Sequence, residues 1–249
     1  MHVENCFVGA EGVGETLERR LWRQGITRWD AFTPDCDGIG DIRAERIESF
    51  IDEGQRALDR DEVAFFDRRF PGGARWRLYE TFRDQTCFFD IETTGLNHYR
   101  DVVTTVTLHQ NGETRTLVRG DDLTDETLAG AFEDAGLLVS FNGARFDVPF
   151  LETSFDVDLD HPHIDLMPTC RKLGLSGGLS AIERELGIER ELPDIDGREA
   201  VRLWHEHERG VDGALERLIA YNREDTVNMV SVLDDVVGAL EAEVFPDEP

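Results

Sequence analysis

Three short stretches carry carboxylates at spacings that could do chemistry: Asp90-Ile91-Glu92-Thr93-Thr94-Gly95, Asn142-Gly143-Ala144-Arg145-Phe146-Asp147 and Tyr221-Asn222-Arg223-Glu224-Asp225. The chain has 53 acidic residues in 249. In such a composition Asp-x-Glu arises by chance about three times, so the first stretch alone says little. The other two patterns have chance expectations of about 0.04 and about 0.3, and it is their occurrence together, in order, that carries weight. Asp90 and Glu92 end the apolar run Cys87-Phe88-Phe89 and stand two residues apart, so on a strand both project from one face. Carboxylates that close in a low dielectric cannot both ionise freely, and a divalent cation answers the conflict. The blander reading is a strand that ends at Asp90, with Glu92 opening a solvated turn.

Asp147 follows the apolar run Leu137–Phe141 and precedes Val148-Pro149, a proline placed as at a helix start, so by itself it could be a helix cap. Asp225 falls on a long C-terminal helical pattern whose apolar stripe runs through Leu215, Leu218, Ile219, Thr226, Met229, Leu233 and Val236. It lies on that inward face, where a carboxylate needs a partner. Tyr221, one turn earlier, could reach the same cavity or simply bond to Asp225. The His161/His163 and His205/His207 pairs form no zinc signature and are read as surface or structural residues. Asp165 is a fifth acid to which the sequence assigns no role beyond support.

The elements that must position these residues form two blocks. From residue 85 the chain reads as strand Cys87–Ile91, strands Val102–Leu108 and Thr114–Val118 around the hairpin signal Asn111-Gly112, a helix Thr124–Ala135 capped by Thr124, strand Leu137–Phe141, and then helices near 178–186, 198–207 and 211–240. This describes an α/β layered domain with a mixed sheet over 85–249. Residues 1–84 read as a small helical domain, with helices at 15–24 and 41–59, the latter through Ile42, Ile47, Phe50, Ile51 and Leu58.

The acidic motifs resemble, position by position, the DEDD exonucleases of the DnaQ-like group within the ribonuclease H-like superfamily, in their tyrosine form; Ala220 stands where a histidine-type enzyme carries its histidine. The resemblance implies a five-stranded mixed sheet with the site at the carboxyl end of its central strand. It also implies a 3′-5′ exonuclease that hydrolyses DNA or RNA with two Mg²⁺ or Mn²⁺ ions roughly 3.5–4 Å apart. On this reading Asp90 bridges the ions, Glu92 and Asp225 complete one, Asp147 holds the other, and Tyr221 orients the attacking water. Thr93, Thr94 and Leu96, with Asn142 and Phe146, resemble the part that grips the terminal nucleotide. A structure-specific endonuclease and a non-catalytic nucleic-acid-binding module are the alternatives. The chain is more specifically similar to a YprB-type branch in which a helix-hairpin-helix-like module precedes the nuclease. Gly38-Ile39-Gly40 with Ala44 fits that module, whereas Gly12-Val13-Gly14 fits it less well. These glycines precede helices and could seat a backbone phosphate, helped by Arg75 and Arg77 in the segment Arg68–Arg83, or they could only shape turns.

The net charge of −27 and a single lysine, Lys172, point to a surface adapted to molar salt, where screening makes such self-repulsion tolerable. Residues 1–86 hold 13 of the 26 basic residues, so the positive charge is concentrated there. No apolar run approaches a membrane span, no basic leader opens the chain, and the four scattered cysteines form no Cys-x-x-Cys pair. The expectation is a cytoplasmic protein with no membrane association, whose partner is nucleic acid; protein partners are left open.

Overall fold

The structure is a computed structural model that describes residues 1–245; residues 246–249 of the expected second domain lie outside the described residues. The chain divides into two compact units, one of Met1–Arg83 together with the chain from Val237 onward, the other of Asp84–Val236.

In the first unit the helical periodicity of the sequence becomes α1 (Glu15–Arg23), α2 (Asp41–Leu58) and α3 (Val63–Arg69), followed by a 3₁₀ stretch over Gly72–Leu78. Its core is aromatic. Trp29 meets Phe50 edge-on at 5.5 Å and stacks on Phe66 at 6.3 Å, and Gly54 leaves the room Trp29 occupies, since a Cβ there would fall 2.7 Å from the indole. Ile42, expected in the apolar stripe of α2, is instead exposed, because it sits in the helix's first turn before the buried face begins at Ala44. Glu18 is fully buried; it accepts the N–H groups of Phe7 (2.7 Å) and Val8 (3.2 Å) and pairs with Arg77 at 2.6 Å. Of the cysteines, Cys6, Cys87 and Cys170 are buried and Cys36 is partly exposed; all are free.

The second unit is built on a five-stranded mixed sheet with flanking helices. Its elements are β1 (Thr86–Thr93), β2 (Val103–Gln110), β3 (Glu113–Val118), α4 (Asp125–Phe132), β4 (Leu137–Ser140), α5 (Asp147–Ser154), β5 (His163–Asp165), α6 (Leu166–Arg171), α7 (Leu179–Leu186), α8 (Gly197–Glu208) and, as far as Val236, α9 (Ala214–Val244), whose last residues belong to the first unit. The strand order is β3-β2-β1-β4-β5, with β1 antiparallel to β2 and parallel to β4, which is parallel to β5. Asn111 and Gly112 both take positive φ, the conformation a tight hairpin turn between β2 and β3 demands. Thr124 caps α4 by accepting the N–H of Thr127.

Alternation along β1 separates core from site. Phe89 and Ile91 enter a core with Val106, Leu138, Leu128, Phe132, Phe150 and Leu151, while Asp90 and Glu92 face the other side of the sheet. There α8 and α9 pack through Ala200, Leu203, Trp204, Leu218 and Tyr221. Two details depart from the sequence reading. β1 continues through both acids to Thr93, because backbone pairing with β2 outlasts the apolar run, and its register slips between Glu92 and Thr93. β5 has only three residues, too few for any periodicity to show. No helix among the described residues is long and apolar enough to cross a membrane.

Candidate metal centre and adjoining cleft

The second unit brings three of the motif acids together: one carboxylate oxygen from each of Asp90, Glu92 and Asp225 lies within 4.8 Å of the other two. β1 supplies the first pair and the inward face of α9 the third. Asp147 stands beside this triangle rather than in it. It is the buried first residue of α5, and its Oδ1 accepts the N–H of Ile91, the residue between the two β1 acids, at 3.2 Å. Tyr221, also buried, lies one helical turn before Asp225 with its hydroxyl on the side of that carboxylate.

Electrostatics follow from this crowding. Burial first, then the neighbouring carboxylates, push Asp90 and Glu92 well above the usual carboxylate range. Burial pushes Asp147 up to about 7 and Asp225 to about 6, the latter restrained by Arg190. The Tyr221 hydroxyl is driven far upward by burial and by the acids it faces, so it remains a donor at any working pH.

Several residues that shape the site escaped the sequence reading. Asn222 donates through Nδ2 to Asp90 Oδ2 at 2.7 Å, while its Oδ1 accepts the hydroxyls of Thr105 (2.9 Å) and Thr107 (2.7 Å). Those threonines are the β2 partners of Glu92 and Asp90 in register, so the sheet fixes the amide's orientation. Arg190, in the connection between α7 and α8, reaches Asp225 through Nη2 and Glu183 through Nη1 at 2.6 Å, and stands over the Tyr221 ring at 5.5 Å. Nothing in its sequence neighbourhood marks it. Asp165 acquires a role: its Oδ1 accepts the N–H of Asn142 at 2.8 Å and caps α6 through Met167, which ties down the loop leading to Asp147.

A cavity of about 520 Å³ opens next to Glu92. Thr93, Leu96 and Phe146 line it, and the start of α8 closes it through Asp196, Arg198 and Val201, a wall the motifs did not announce. Leu96 is 85% exposed. Thr94 and Asn142 are not among the lining residues; Thr94 Oγ1 instead accepts the N–H of Val102 and closes the β1–β2 loop.

In the first unit Gly14 and Gly40 are the N-caps of α1 and α2, with Gly12 and Gly38 at positive φ just before them. Of the two arginines expected to assist them, Arg77 is 2% exposed and locked to Glu18, which leaves no face for a phosphate, whereas Arg75 is 41% exposed and pairs with Asp67 at 2.7 Å.

The sequence matches the RNase H superfamily over residues 87–237, more than half of the chain. The chain belongs to that superfamily. The match covers the sheet from Cys87 onward and every residue of the acidic site, so the RNase H-like fold seen in the strand order is that of its family. Among curated proteins, none matches it in sequence. Solved structures similar to it include a family B DNA polymerase from Pyrobaculum calidifontis, with 15% identity and a TM-score of 0.48 over 61% of this chain and 26% of the polymerase. A structure described as the apo form of the nuclease is 20% identical, with a TM-score of 0.46 over 64% of this chain and 73% of its own. Brucella melitensis NrnC with bound Mg²⁺ is 16% identical, with a TM-score of 0.43 over 65% and 77% of the two chains. The RNase H superfamily member described here thus spans about a quarter of the polymerase's length.

Proposed function

We propose that this chain is a metal-dependent nuclease, a 3′-5′ exonuclease of the DnaQ-like DEDD tyrosine type acting on DNA or RNA. The observation that carries the reading is the convergence of Asp90, Glu92 and Asp225 to within 4.8 Å of one another. The donor set fits the implied ions: every ligand is a carboxylate oxygen, which suits hard Mg²⁺ or Mn²⁺ rather than zinc. Burial and mutual repulsion raise the pKa of Asp90 and Glu92, and a divalent cation is the counter-charge that would relieve both.

In this reading Asp90, Glu92, Asp147 and Asp225 hold two divalent ions, which when bound supply an activated water and stabilise the leaving oxygen. Asn222 holds Asp90 in place against the threonine pair of β2. Tyr221 keeps its proton and acts as a fixed donor that orients rather than as a base. Leu96 and Phe146 offer apolar surface to a terminal base in the cavity beside Glu92, and the Gly12-Gly14 and Gly38-Gly40 loops of the first unit contact the strand's backbone. That cleft, adjoining the acids, favours removal of an end nucleotide over an internal cut.

The test is digestion of end-labelled DNA and RNA in molar KCl with and without Mn²⁺. Wild type is expected to shorten the labelled strand progressively and release mononucleotides only with the ion. Asp90→Ala and Asp225→Ala should each remove this activity by at least about a thousandfold while the circular dichroism spectrum stays unchanged. Internal fragments would instead mark a structure-specific endonuclease, and no turnover together with no calorimetric Mn²⁺ binding a module that only binds.

A further inference from the structure

Arg190 is the cation among the described residues that reaches the acidic triangle. It is nearly buried, at 8% side-chain exposure, and it does not sit there as a lone charge. Its two terminal nitrogens divide between Asp225 and Glu183, a side chain with no exposure that is also held by Asn228 at 3.1 Å. Glu224 lies further off, at 3.6 Å, and the guanidinium plane covers the Tyr221 ring. The Nε has no hydrogen-bond partner, so the group is held entirely by its fork.

Glu183 cancels the charge of Arg190. The pair therefore leaves the negative field of Asp90, Glu92 and Asp225 available to a cation, while it opposes the like-charge repulsion that would turn the Asp225 carboxylate away from the other two. We propose that Arg190 is a positioning residue for metal binding, a neutralised clamp that pins Asp225 against Asp90 and Glu92 before any ion arrives. The inference rests on the metal-site reading above. It adds a partner for Asp225 and a buried anchor, Glu183, that lie outside all three acidic motifs.

Because Arg190 and Glu183 carry opposite charges, Glu183→Gln/Arg190→Gln removes the clamp without changing the net charge near the site; Asp225 alone loses its cation, which is the contact under test, and Asn228 still has an acceptor at residue 183. Calorimetric Mn²⁺ titration of the full chain, run for every variant in the same pH 8 buffer with molar KCl, is expected to show a dissociation constant about 10- to 100-fold weaker than wild type. Arg190→Lys keeps a cation over Tyr221 but has no fork to span Glu183 and Asp225. It should fold as wild type and lose at least about tenfold in Mn²⁺ affinity. Thermal unfolding of the metal-free proteins, run in parallel, separates a loss of fold from a loss of position. Unchanged or tighter Mn²⁺ binding in either folded variant overturns the proposal, tighter binding because it would make Arg190 a competitor of the ion. Absence of Mn²⁺ binding in wild type overturns the metal-site reading itself, and the clamp with it.

Discussion

Asn222 is the residue on which the geometry of Asp90 depends most directly, and its role was hidden inside a motif that had been read for its tyrosine and its aspartate. Two threonine hydroxyls donate to its oxygen, which forces its NH₂ toward Asp90. Asn222→Ala should cost about 1–3 kcal/mol of stability, read by urea unfolding, because buried hydroxyls and a carboxylate lose their partner together. It should also cut Mn²⁺-dependent hydrolysis more than tenfold; full activity would show that Asp90 needs no such support. Protonation offers a second test. Asp147, raised to about 7, and Asp225, raised to about 6, bind protons more tightly folded than unfolded. Between the ordinary carboxylate range and about pH 7 the folded state then carries the extra protons, so the metal-free protein loses stability as pH rises through that window. Mn²⁺ replaces those protons. Its binding should strengthen up to about pH 7, and saturating Mn²⁺ should flatten the fall in melting temperature; a metal-free protein equally stable at pH 5 and pH 7.5 would contradict the assignment. The acids were legible because a two-residue strand spacing and an inward helix position are written in the chain. Asn222, Arg190 and Glu183 were not, because their meaning depends on contacts between residues far apart in sequence.

At the scale of elements, the loop between β4 and α5 decides where Asp147 stands. Asn142 takes a positive φ there, and Asp165 at the end of β5 holds the loop by the Asn142 N–H while capping α6. Asp165→Ala should therefore destabilise by about 1 kcal/mol through the lost cap and, separately, lower the catalytic rate at saturating Mn²⁺. A purely structural role would shift only the melting curve, and an unchanged rate would restrict Asp165 to that. Most elements could be placed from the sequence, since alternation, the Asn111-Gly112 turn and the Thr124 cap are local signals. The helical first turn of α2 misled because periodicity says nothing of where a buried face begins, and the α8 wall of the cleft carries no chemical motif at all. β1 was cut short for the same reason: its apolar run stops where its polar residues begin to form the site.

For the whole molecule the dominant quantity is the charge of −27, which composition alone reveals and no single contact explains. If the surface is adapted to salt, the melting temperature should climb steadily between about 0.1 and 2 M KCl as the Debye length falls from about 10 Å to below 3 Å; a flat or declining curve would argue against it. Nuclease activity should rise over the same range, against the usual loss of nucleic-acid affinity with salt, because screening relieves repulsion between two polyanions. The concentration of arginine in the first third of the sequence is less informative than it looked. Arg77 is buried against Glu18, and Arg75, though 41% exposed, is paired with Asp67, so a local excess of positive residues in a sequence need not become an equal excess of surface charge.

The uneven burial of the four thiols has a practical use. With Cys6, Cys87 and Cys170 enclosed and Cys36 partly open, just before Gly38-Ile39-Gly40, the unaltered chain accepts a maleimide fluorophore or nitroxide at one place. Burial and flanking Asp35 and Asp37 raise that thiol's pKa, so coupling calls for mildly alkaline buffer. The attached reporter would then sense directly whether an added oligonucleotide comes to rest on that loop.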